Sequence, residues 1–210
     1  MGEASLEGFL PVYASAVEGA ALADLGAVAL GVGKVPAAAA TTELLLRTRP
    51  AGVLLFGIAG AFPERHAPGA SLQIGDLCLV GSDCLGDEGV ITPEGFSGIE
   101  AILSQPASRF RTAEASVGLA ERLGVPLVPA VTVSTCSGTE ASSAEMCQRS
   151  GARIETMEGA AVAFACARYD VPLVHLRAIS NFTGDRDRSD WSLAAAVDAL
   201  QAVVRQLLTA

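Results

Sequence analysis

The chain has 210 residues, half of them hydrophobic, and its mean hydropathy is +0.43. So much apolar surface excludes an intrinsically disordered protein, and the length predicts one domain spanning 1–210. Because the formal net charge is −9, the chain has no excess of basic residues to offer to phosphates, and we expect neither nucleic acid nor an anionic membrane surface as a partner.

Strand-like apolar runs alternate with helical patterns along the chain. The predicted strands cover 11–15, 28–32, 51–58, 77–81, 125–134 and 173–180, and the predicted helices cover 35–47, 108–123, 138–150, 157–169 and 193–208. Continuous apolar strands between helices predict an α/β fold with helices on both faces of the sheet. Ligands of such sheets collect at the carboxyl ends of strands, so the polar residues that follow each strand are the candidates for a site.

The sequence favours a cytoplasmic protein without a metal centre. No apolar run reaches the roughly 18–20 residues that span a bilayer, and Glu3 and Glu7 stand where a secretion signal would carry positive charge. The five cysteines are odd in number and lack CxxC spacing, which predicts free thiols in a reducing compartment. The two histidines, His66 and His175, stand apart from them, and His175 is predicted to be a core residue.

Two segments carry polar residues where chemistry is expected. Glu158 stands at the start of a predicted helix of small apolar residues, where the helix dipole by itself would favour a carboxylate. Arg177 lies within an apolar strand, and a buried arginine needs a partner, either in a structural salt bridge or in a site. Asn181 follows the same strand, as a turn-capping residue or as a site residue.

The order of these segments, Met157-Glu158 followed by Arg-x-Ile-Ser-Asn at 177–181, resembles the purine nucleoside phosphorylase and nucleosidase superfamily. Within it, the chain is most similar to the futalosine hydrolases of menaquinone biosynthesis. Further matching segments are the glycine turns at 31–35 and 56–62, the turn at 72–76, the strand end at 134–139, and 181–187 with Trp191. The resemblance implies one domain with a mixed sheet between layers of helices, no cofactor, and a homo-oligomer, with a dimer favoured.

The resemblance also implies roles for individual residues. Glu158 corresponds to the carboxylate that accepts hydrogen bonds from the ribose hydroxyls, Met157 packs against the ribose, and Asn181 meets the purine edge. An anion beside the sugar also stabilises the positive charge that develops as the glycosidic bond breaks. Arg177 is expected to be a structural residue near the site. Other substrate contacts are expected from Ile58, Ala59, Gly60, Ser180 and Phe182.

The asparagine at 181 points to a 6-oxopurine. Superfamily members that act on 6-aminopurines have aspartate at this position. A departing 6-oxopurine presents the acceptor O6 beside N7–H, and the amide of Asn181 offers the complementary donor and acceptor. Phosphorylases of the superfamily bind phosphate with arginines and with a hydroxyl residue in the glycine turn. Here the turn 57–60 lacks Ser and Thr, and no arginine occurs in the first 46 residues, so the resemblance implies water rather than phosphate as the nucleophile.

Two positions depart from the family pattern or extend it. Nucleosidases commonly place a glutamate shortly after the first strand, in a slot that Ala20 occupies here, whereas Glu18 stands two residues earlier. Either Glu18 activates water from a rearranged turn, or it is a solvated surface acid, in which case the carboxylate comes from elsewhere or catalysis is impaired. Arg186 is a candidate partner for the carboxylate of futalosine, with Arg188 and Arg65 as weaker candidates.

The predicted function is hydrolysis of futalosine to hypoxanthine and dehypoxanthine futalosine. The alternatives are a methylthioadenosine/adenosylhomocysteine-type nucleosidase and an inosine phosphorylase. A purine-nucleoside binding protein that has lost turnover is the alternative outside the enzymes, and the displaced Glu18 is the feature that favours it.

Overall fold

Strand β3, Gly52–Ala61, is the centre of the fold, and the four residues Val53 to Phe56 are completely buried. The computed structural model describes residues 6–69, 71–102, 109–185 and 193–209. In these segments the other strands of the main sheet are β1 Phe9–Tyr13, β2 Val28–Ala29, β4 Leu77–Leu85, β7 Arg109–Arg111, β8 Leu127–Thr132, β9 Ile154–Thr156 and β10 Leu173–Phe182. Strands β5 Gly89–Thr92 and β6 Gly95–Gly98 form a separate hairpin.

The main sheet is mixed and closes on itself. The strand order is β10-β4-β8-β9-β3-β1-β2, and β10 also pairs with β3, so that β3, β9, β8, β4 and β10 form a ring. Strand β3 is parallel to β1 and β10 but antiparallel to β9. This arrangement brings the carboxyl ends of β1, β3 and β10 to one end of the sheet, where α/β proteins place their ligands.

Helices cover both faces of the sheet. They are α1 Ala16–Gly19, α2 Lys34–Thr48, α3 Ile99–Ile102, α4 Ala115–Leu123, α5 Glu140–Ser150, α6 Gly159–Arg168 and α7 Leu193–Thr209, and a 3₁₀ helix follows α1 over Ala20–Leu25. Val53 and Leu55 pack with residues of α2 and α6, whereas Leu54 and Phe56 pack with residues of α4 and α7. The predicted α/β fold with a mixed sheet between helices is thereby confirmed.

Several of the predicted elements are wrong in extent, among them the strand predicted over 77–81, which continues to Leu85 as β4. The helix predicted over 108–123 begins only at Ala115, because 109–111 alternates Arg-Phe-Arg and pairs as β7 with the edge of β4. The strand predicted over 28–32 stops at Ala29, since Gly31 and Gly33 adopt φ values of +89° and +96° and turn the chain into α2. The helix predicted from 157 begins at Gly159, and Met157 and Glu158 form the bend between it and the short strand β9, which ends at Thr156.

None of the helices in the described segments is long and apolar enough to cross a membrane.

Candidate active site

A cavity of about 680 Å³ opens at the carboxyl ends of β1, β3 and β10. Ten of the residues singled out in the sequence line it: Glu18, Ile58, Ala59, Gly60, Arg65, Met157, Glu158, Ser180, Asn181 and Phe182. Arg177 lies directly behind two of them, whereas Arg186 and Arg188 lie outside the described residues. One cavity therefore collects side chains from segments that are more than 150 residues apart in the sequence.

Glu158 is the buried residue that precedes the first turn of α6. Its Oε1 accepts a hydrogen bond of 2.9 Å from the backbone N–H of Gly33, in the glycine turn before α2. Burial raises the pKa of the Glu158 carboxyl above its ordinary value, while the positive charge of Arg177 and the Gly33 N–H act in the opposite direction. The helix dipole also favours an anion at this position.

Glu18 occupies the cavity although the family slot is two residues later. Helix α1 begins directly after β1, so the side chain of Glu18 folds back and its Oε2 accepts from the backbone N–H groups of Ala14 and Ser15 at 3.1 and 2.8 Å. Its Oε1 accepts from Ile58 N–H at 2.9 Å. The carboxylate is 4% exposed, so the interpretation of Glu18 as a solvated surface acid is wrong, whereas Ala20 in the family slot is exposed.

Arg177 connects the two carboxylates from behind. Its Nη1 lies 3.9 Å from Glu18 Oε1, and its Nη2 lies 3.7 Å from Glu158 Oε2. Nη1 also donates to the carbonyl oxygen of Ile58 at 3.0 Å, which holds the guanidinium against β3. The two acids are thus held close to each other by one buried positive charge, and the salt bridge expected for Arg177 is present.

Gly57 makes this approach sterically feasible. A Cβ atom at this position would collide with Arg177 Nη1 and with Glu18 Oε1. Any side chain at position 57 would therefore push the guanidinium away from the first carboxylate. The glycine of this turn is required by packing against the site rather than by an unusual backbone conformation.

Glu155 is a cavity residue that the sequence analysis missed. In the sheet, Gly60 pairs with Glu155 of β9 on one side and with Asn181 of β10 on the other. The three residues form one row across three strands and all line the cavity, with the Cα atoms of Glu155 and Asn181 roughly 10 Å apart. A Cβ at Gly60 would lie 3.1 Å from Thr183 Cγ2 and 3.3 Å from Asn181 Nδ2, so a side chain in the middle of the row would crowd the amide of Asn181. The only local signal for Glu155 in the sequence was a carboxylate within a short apolar segment.

Both ends of this row have fixed orientations. Asn181 donates from Nδ2 to the carbonyl oxygen of Phe182 at 2.9 Å and accepts at Oδ1 from Ser180 Oγ at 2.9 Å, which assigns its nitrogen and oxygen. Glu155 accepts from the backbone N–H of Ser137 at 2.9 Å and from its hydroxyl at 2.5 Å. Burial raises the pKa of Glu155, whereas these two hydrogen bonds act to lower it.

The outer part of the cavity contains a cation that is already paired. Arg65 donates to Glu140 with Nε and Nη2 at 2.6 and 2.5 Å, and His66 Nε2 lies 2.7 Å from the same carboxylate. Arg65 holds the pKa of Glu140 down at about 2. Any anionic group that bound Arg65 would have to compete with Glu140 for the guanidinium.

Comparison with known proteins gives a consistent family assignment. The model of the phosphorylase superfamily matches residues 19–209. The futalosine hydrolase of Thermus thermophilus is 36% identical over 182 residues, which are 85% of this chain and 78% of the relative. The futalosine hydrolase of Streptomyces coelicolor is 35% identical over 187 residues, 86% of this chain and 77% of the relative.

Solved structures of nucleosidases have a similar fold. The 5'-methylthioadenosine/S-adenosylhomocysteine nucleosidase of Neisseria meningitidis, solved in complex with methylthio-immucillin-A, superimposes with a TM-score of 0.79. It is 19% identical, and the match covers 94% of this chain and 96% of that one. From the family model and from these relatives, we conclude that the chain belongs to the phosphorylase superfamily.

Proposed function

We propose that the protein hydrolyses the N-glycosidic bond of futalosine, releasing hypoxanthine and dehypoxanthine futalosine. The observation that carries this proposal is the similarity to two futalosine hydrolases at 35–36% identity over about six sevenths of the chain. The cavity supports it independently, because it presents two carboxylates for a nucleoside and an asparagine for a 6-oxopurine. The whole of 1–210 is then one nucleosidase domain.

Glu158 is the residue we assign to the ribose. Its Oε1 is held by Gly33 N–H, and the cavity-facing side of the carboxylate is available to accept from ribose hydroxyls. As the bond to the base lengthens, positive charge grows on the sugar and its attraction to the Glu158 anion increases. Met157 lies next to it in the cavity wall, where it provides an apolar contact for the ribose.

Glu18 is the residue we assign to the attacking water. Three backbone N–H groups hold the carboxylate, so that it needs no rearrangement to meet a water molecule in the cavity. The positive charge of Arg177 behind Glu18 offsets the negative charge that Glu158 adds, so the two acids can lie close to each other in a buried site. Glu18 accepts a proton of the water as the water oxygen bonds to the anomeric carbon and the bond to the base breaks. The base leaves with the bonding electron pair and takes up a proton from solvent, which gives neutral hypoxanthine.

The row of Glu155, Gly60 and Asn181 is the site we assign to the base. A purine that lies above Gly60 meets Asn181 with N7 and O6, and Asn181 stabilises the departing base by hydrogen bonds since an amide transfers no proton. The N1–H of hypoxanthine then points towards Glu155, which accepts it. Adenine has an acceptor at N1 and would face the carboxylate with like polarity.

Charge in the cavity favours water over phosphate. Glu18, Glu155 and Glu158 surround the inner part, and Arg65, the cation among the described lining residues, is engaged by Glu140. Among the described lining residues, a phosphate dianion would meet three carboxylates and no free arginine. We therefore infer hydrolysis rather than phosphorolysis. The role of Arg186 towards the substrate carboxylate stays a prediction from the sequence.

One experiment tests the proposed function. The protein is incubated with futalosine, inosine or methylthioadenosine, each with and without inorganic phosphate, and the free base is followed by chromatography. We expect hypoxanthine from futalosine at a rate that phosphate does not change. Preferential release of adenine would instead support the methylthioadenosine-type nucleosidase that the Neisseria neighbour represents. A phosphate requirement would indicate a phosphorylase, and tight binding without turnover would indicate a binding protein.

Changing Asn181 to aspartate is expected to shift the preference from 6-oxo- to 6-aminopurines. An ionised carboxylate would face O6 with like polarity, and a mispaired edge costs a few kcal/mol, or about a hundredfold in kcat/KM for futalosine. The measurement is the ratio of kcat/KM for futalosine to that for methylthioadenosine. An unchanged ratio in the folded variant would show that Asn181 does not contact the base edge.

Changing Glu155 to glutamine is expected to weaken recognition of N1–H. Loss of one charge-assisted hydrogen bond corresponds to roughly a tenfold change in affinity. Hypoxanthine should inhibit the unmodified protein more strongly than 1-methylhypoxanthine, which has no N1–H, and the glutamine variant should lose most of that difference. If both bases inhibit the unmodified protein equally, Glu155 only holds Ser137.

We also propose that the protein is a cytoplasmic dimer. The five cysteines form no disulfide, as expected in a reducing compartment. Val17 and Val32 line the cavity yet are 48% and 54% exposed, and apolar side chains around a cavity mouth are suited to coverage by a second copy. Analytical ultracentrifugation should give twice the 21.3 kDa of the chain, and a monomer at micromolar concentration would contradict the dimer.

A further inference from the structure

A chain of buried polar side chains lies behind Arg177, on the side away from the cavity. Arg177 Nε donates to His175 Nε2 at 2.6 Å, and both side chains are buried in β10. His175 Nδ1 in turn lies 3.8 Å from Oδ2 of Asp83, on the neighbouring strand β4. Neither of these two facing atoms has a hydrogen-bond partner among the described residues, and at 3.8 Å they interact through charge rather than through a formed hydrogen bond. The reaction proposed above uses neither side chain.

The contact with Arg177 decides where the imidazole carries its proton. A guanidinium Nε always carries hydrogen, so His175 Nε2 must offer a lone pair to it. Burial and the charge of Arg177 lower the pKa of His175 well below its ordinary value, which keeps the ring neutral. Its single N–H is therefore at Nδ1 and points to Asp83, as expected when one partner fixes the tautomer of a histidine.

Asp83 is held in turn by Thr132 of β8. Thr132 Oγ1 donates to Asp83 Oδ1 at 3.0 Å and accepts from the backbone N–H of Ala160 at 2.8 Å. A Cβ at Gly159, the residue after Glu158, would collide with Asp83 Oδ2, so the first residue of α6 leaves room for the pair. The same helix terminus thus adjoins Glu158 on the cavity side and Asp83 behind it.

The charges around Asp83 come from two strands besides its own. Arg177 faces it from β10, and Arg109 from β7, and both act to lower its pKa together with the hydrogen bond from Thr132. Burial acts in the opposite direction and is the largest effect, and the pKa of Asp83 is raised to about 7. At pH 8 the carboxyl is therefore mostly ionised and able to accept from His175 Nδ1–H.

We propose that His175 and Asp83 are positioning residues for Arg177. Asp83 holds the imidazole of His175 with its proton on Nδ1, and the lone pair of His175 Nε2 then anchors Arg177 between Glu18 and Glu158. The proposal rests on the proposed function, because it gives Arg177 the task of holding the two carboxylates of the hydrolytic site. Without the anchor the guanidinium keeps only the carbonyl of Ile58 as a hydrogen-bond partner. We then expect slower chemistry with little change in substrate binding.

The kinetic test compares two substitutions of the same residue at pH 8. In His175→Gln the side-chain oxygen can take the place of Nε2 and accept from Arg177, whereas His175→Leu removes the acceptor. We expect His175→Leu to lower kcat for futalosine by about 10–100-fold with KM within about twofold, and His175→Gln to retain most of the activity. Ser116→Ala is the control, since Ser116 Oγ is equally buried and has no hydrogen-bond partner in the described structure.

The second readout does not depend on activity. The chain has only two histidines, so ¹⁵N-histidine NMR resolves His175 from His66, with His175→Leu as the assignment control. We expect the proton of His175 at Nδ1 at pH 8. In Asp83→Asn the new side-chain oxygen accepts from Thr132, so the side-chain amide nitrogen faces His175 as a donor. The proton of His175 should then move from Nδ1 to Nε2, and kcat should fall.

These outcomes separate the two proposals. An unmodified protein that releases no hypoxanthine from futalosine contradicts the proposed function, whereas the NMR result stands by itself. A proton at Nε2 of His175 in the unmodified protein overturns the positioning proposal. Equal losses of kcat in His175→Leu and His175→Gln, in proportion to their melting temperatures, also overturn it, because a purely structural role does not distinguish an acceptor from an alkyl group.

Discussion

Replacing Glu158 by glutamine is expected to slow futalosine hydrolysis by about two to four orders of magnitude, the range seen when a key electrostatic partner of a transition state is removed. The variant keeps the size of the side chain and an oxygen that can accept from Gly33 N–H, so the fold should persist. Because the charge matters most as the sugar becomes cationic, the loss should appear in kcat rather than in KM. Steady-state kinetics with a melting curve for each variant measure both effects.

The pH profile gives the same prediction a second readout. Glu158 must be ionised to stabilise a cation, and its burial raises the pKa of the carboxyl. Activity should therefore be complete above this raised pKa and fall as the pH drops through it, at a higher pH than for an ordinary glutamate. Glu121→Gln on the exposed face of α4 is the matched control and should leave kcat unchanged. An unchanged kcat in a folded Glu158→Gln would contradict the assignment.

Removing the carboxylate of Glu18 is expected to have an effect of similar size. A general base contributes about 10²–10⁴-fold, so Glu18→Ala should lower kcat by that factor. Alanine is preferable to glutamine here, because three backbone N–H groups point at the two carboxylate oxygens and an amide nitrogen would face at least one of them donor to donor. The truncation leaves a space beside Ile58 in which a small carboxylate can bind.

Chemical rescue tests whether Glu18 acts as a general base or only supports the structure. Formate should restore part of the activity of Glu18→Ala with a dependence on its concentration, whereas chloride at equal ionic strength should not. The same formate concentrations should leave the unmodified protein unaffected. If Glu18→Ala keeps a normal kcat, the water is activated by another carboxylate, and Glu158 would be the first to test.

The fold was predictable to the extent that its signals are local. Strand β3 was recognisable because a continuous apolar run is buried on both faces, and helix α2 because its pattern begins after a glycine turn. Strands β7 and β9 were missed, since three residues each carry too little pattern to be distinguished from the ends of neighbouring helices. Such short strands exist only because a partner strand is present.

The sequence by itself determined the family and the principal pair of segments in the site. Met157-Glu158 was informative because it directly precedes a helix, and the run from Arg177 to Asn181 because polar residues end an apolar strand. The predicted preference for a 6-oxopurine follows from the chemistry of one amide. These inferences need residue identity and spacing, and they do not depend on which strands are neighbours.

Only the tertiary structure decided where the acids lie and which groups hold them. Glu18 is bound by Ile58, 40 residues away, and Glu158 by Gly33, 125 residues away, so neither environment can be read from adjacent residues. The row of Glu155, Gly60 and Asn181 exists because β3 has β9 on one edge and β10 on the other. The physical reason is the same in each case: hydrogen bonds and charge pairs in a closed sheet act across strands, and strand order is decided by the packing of the whole core.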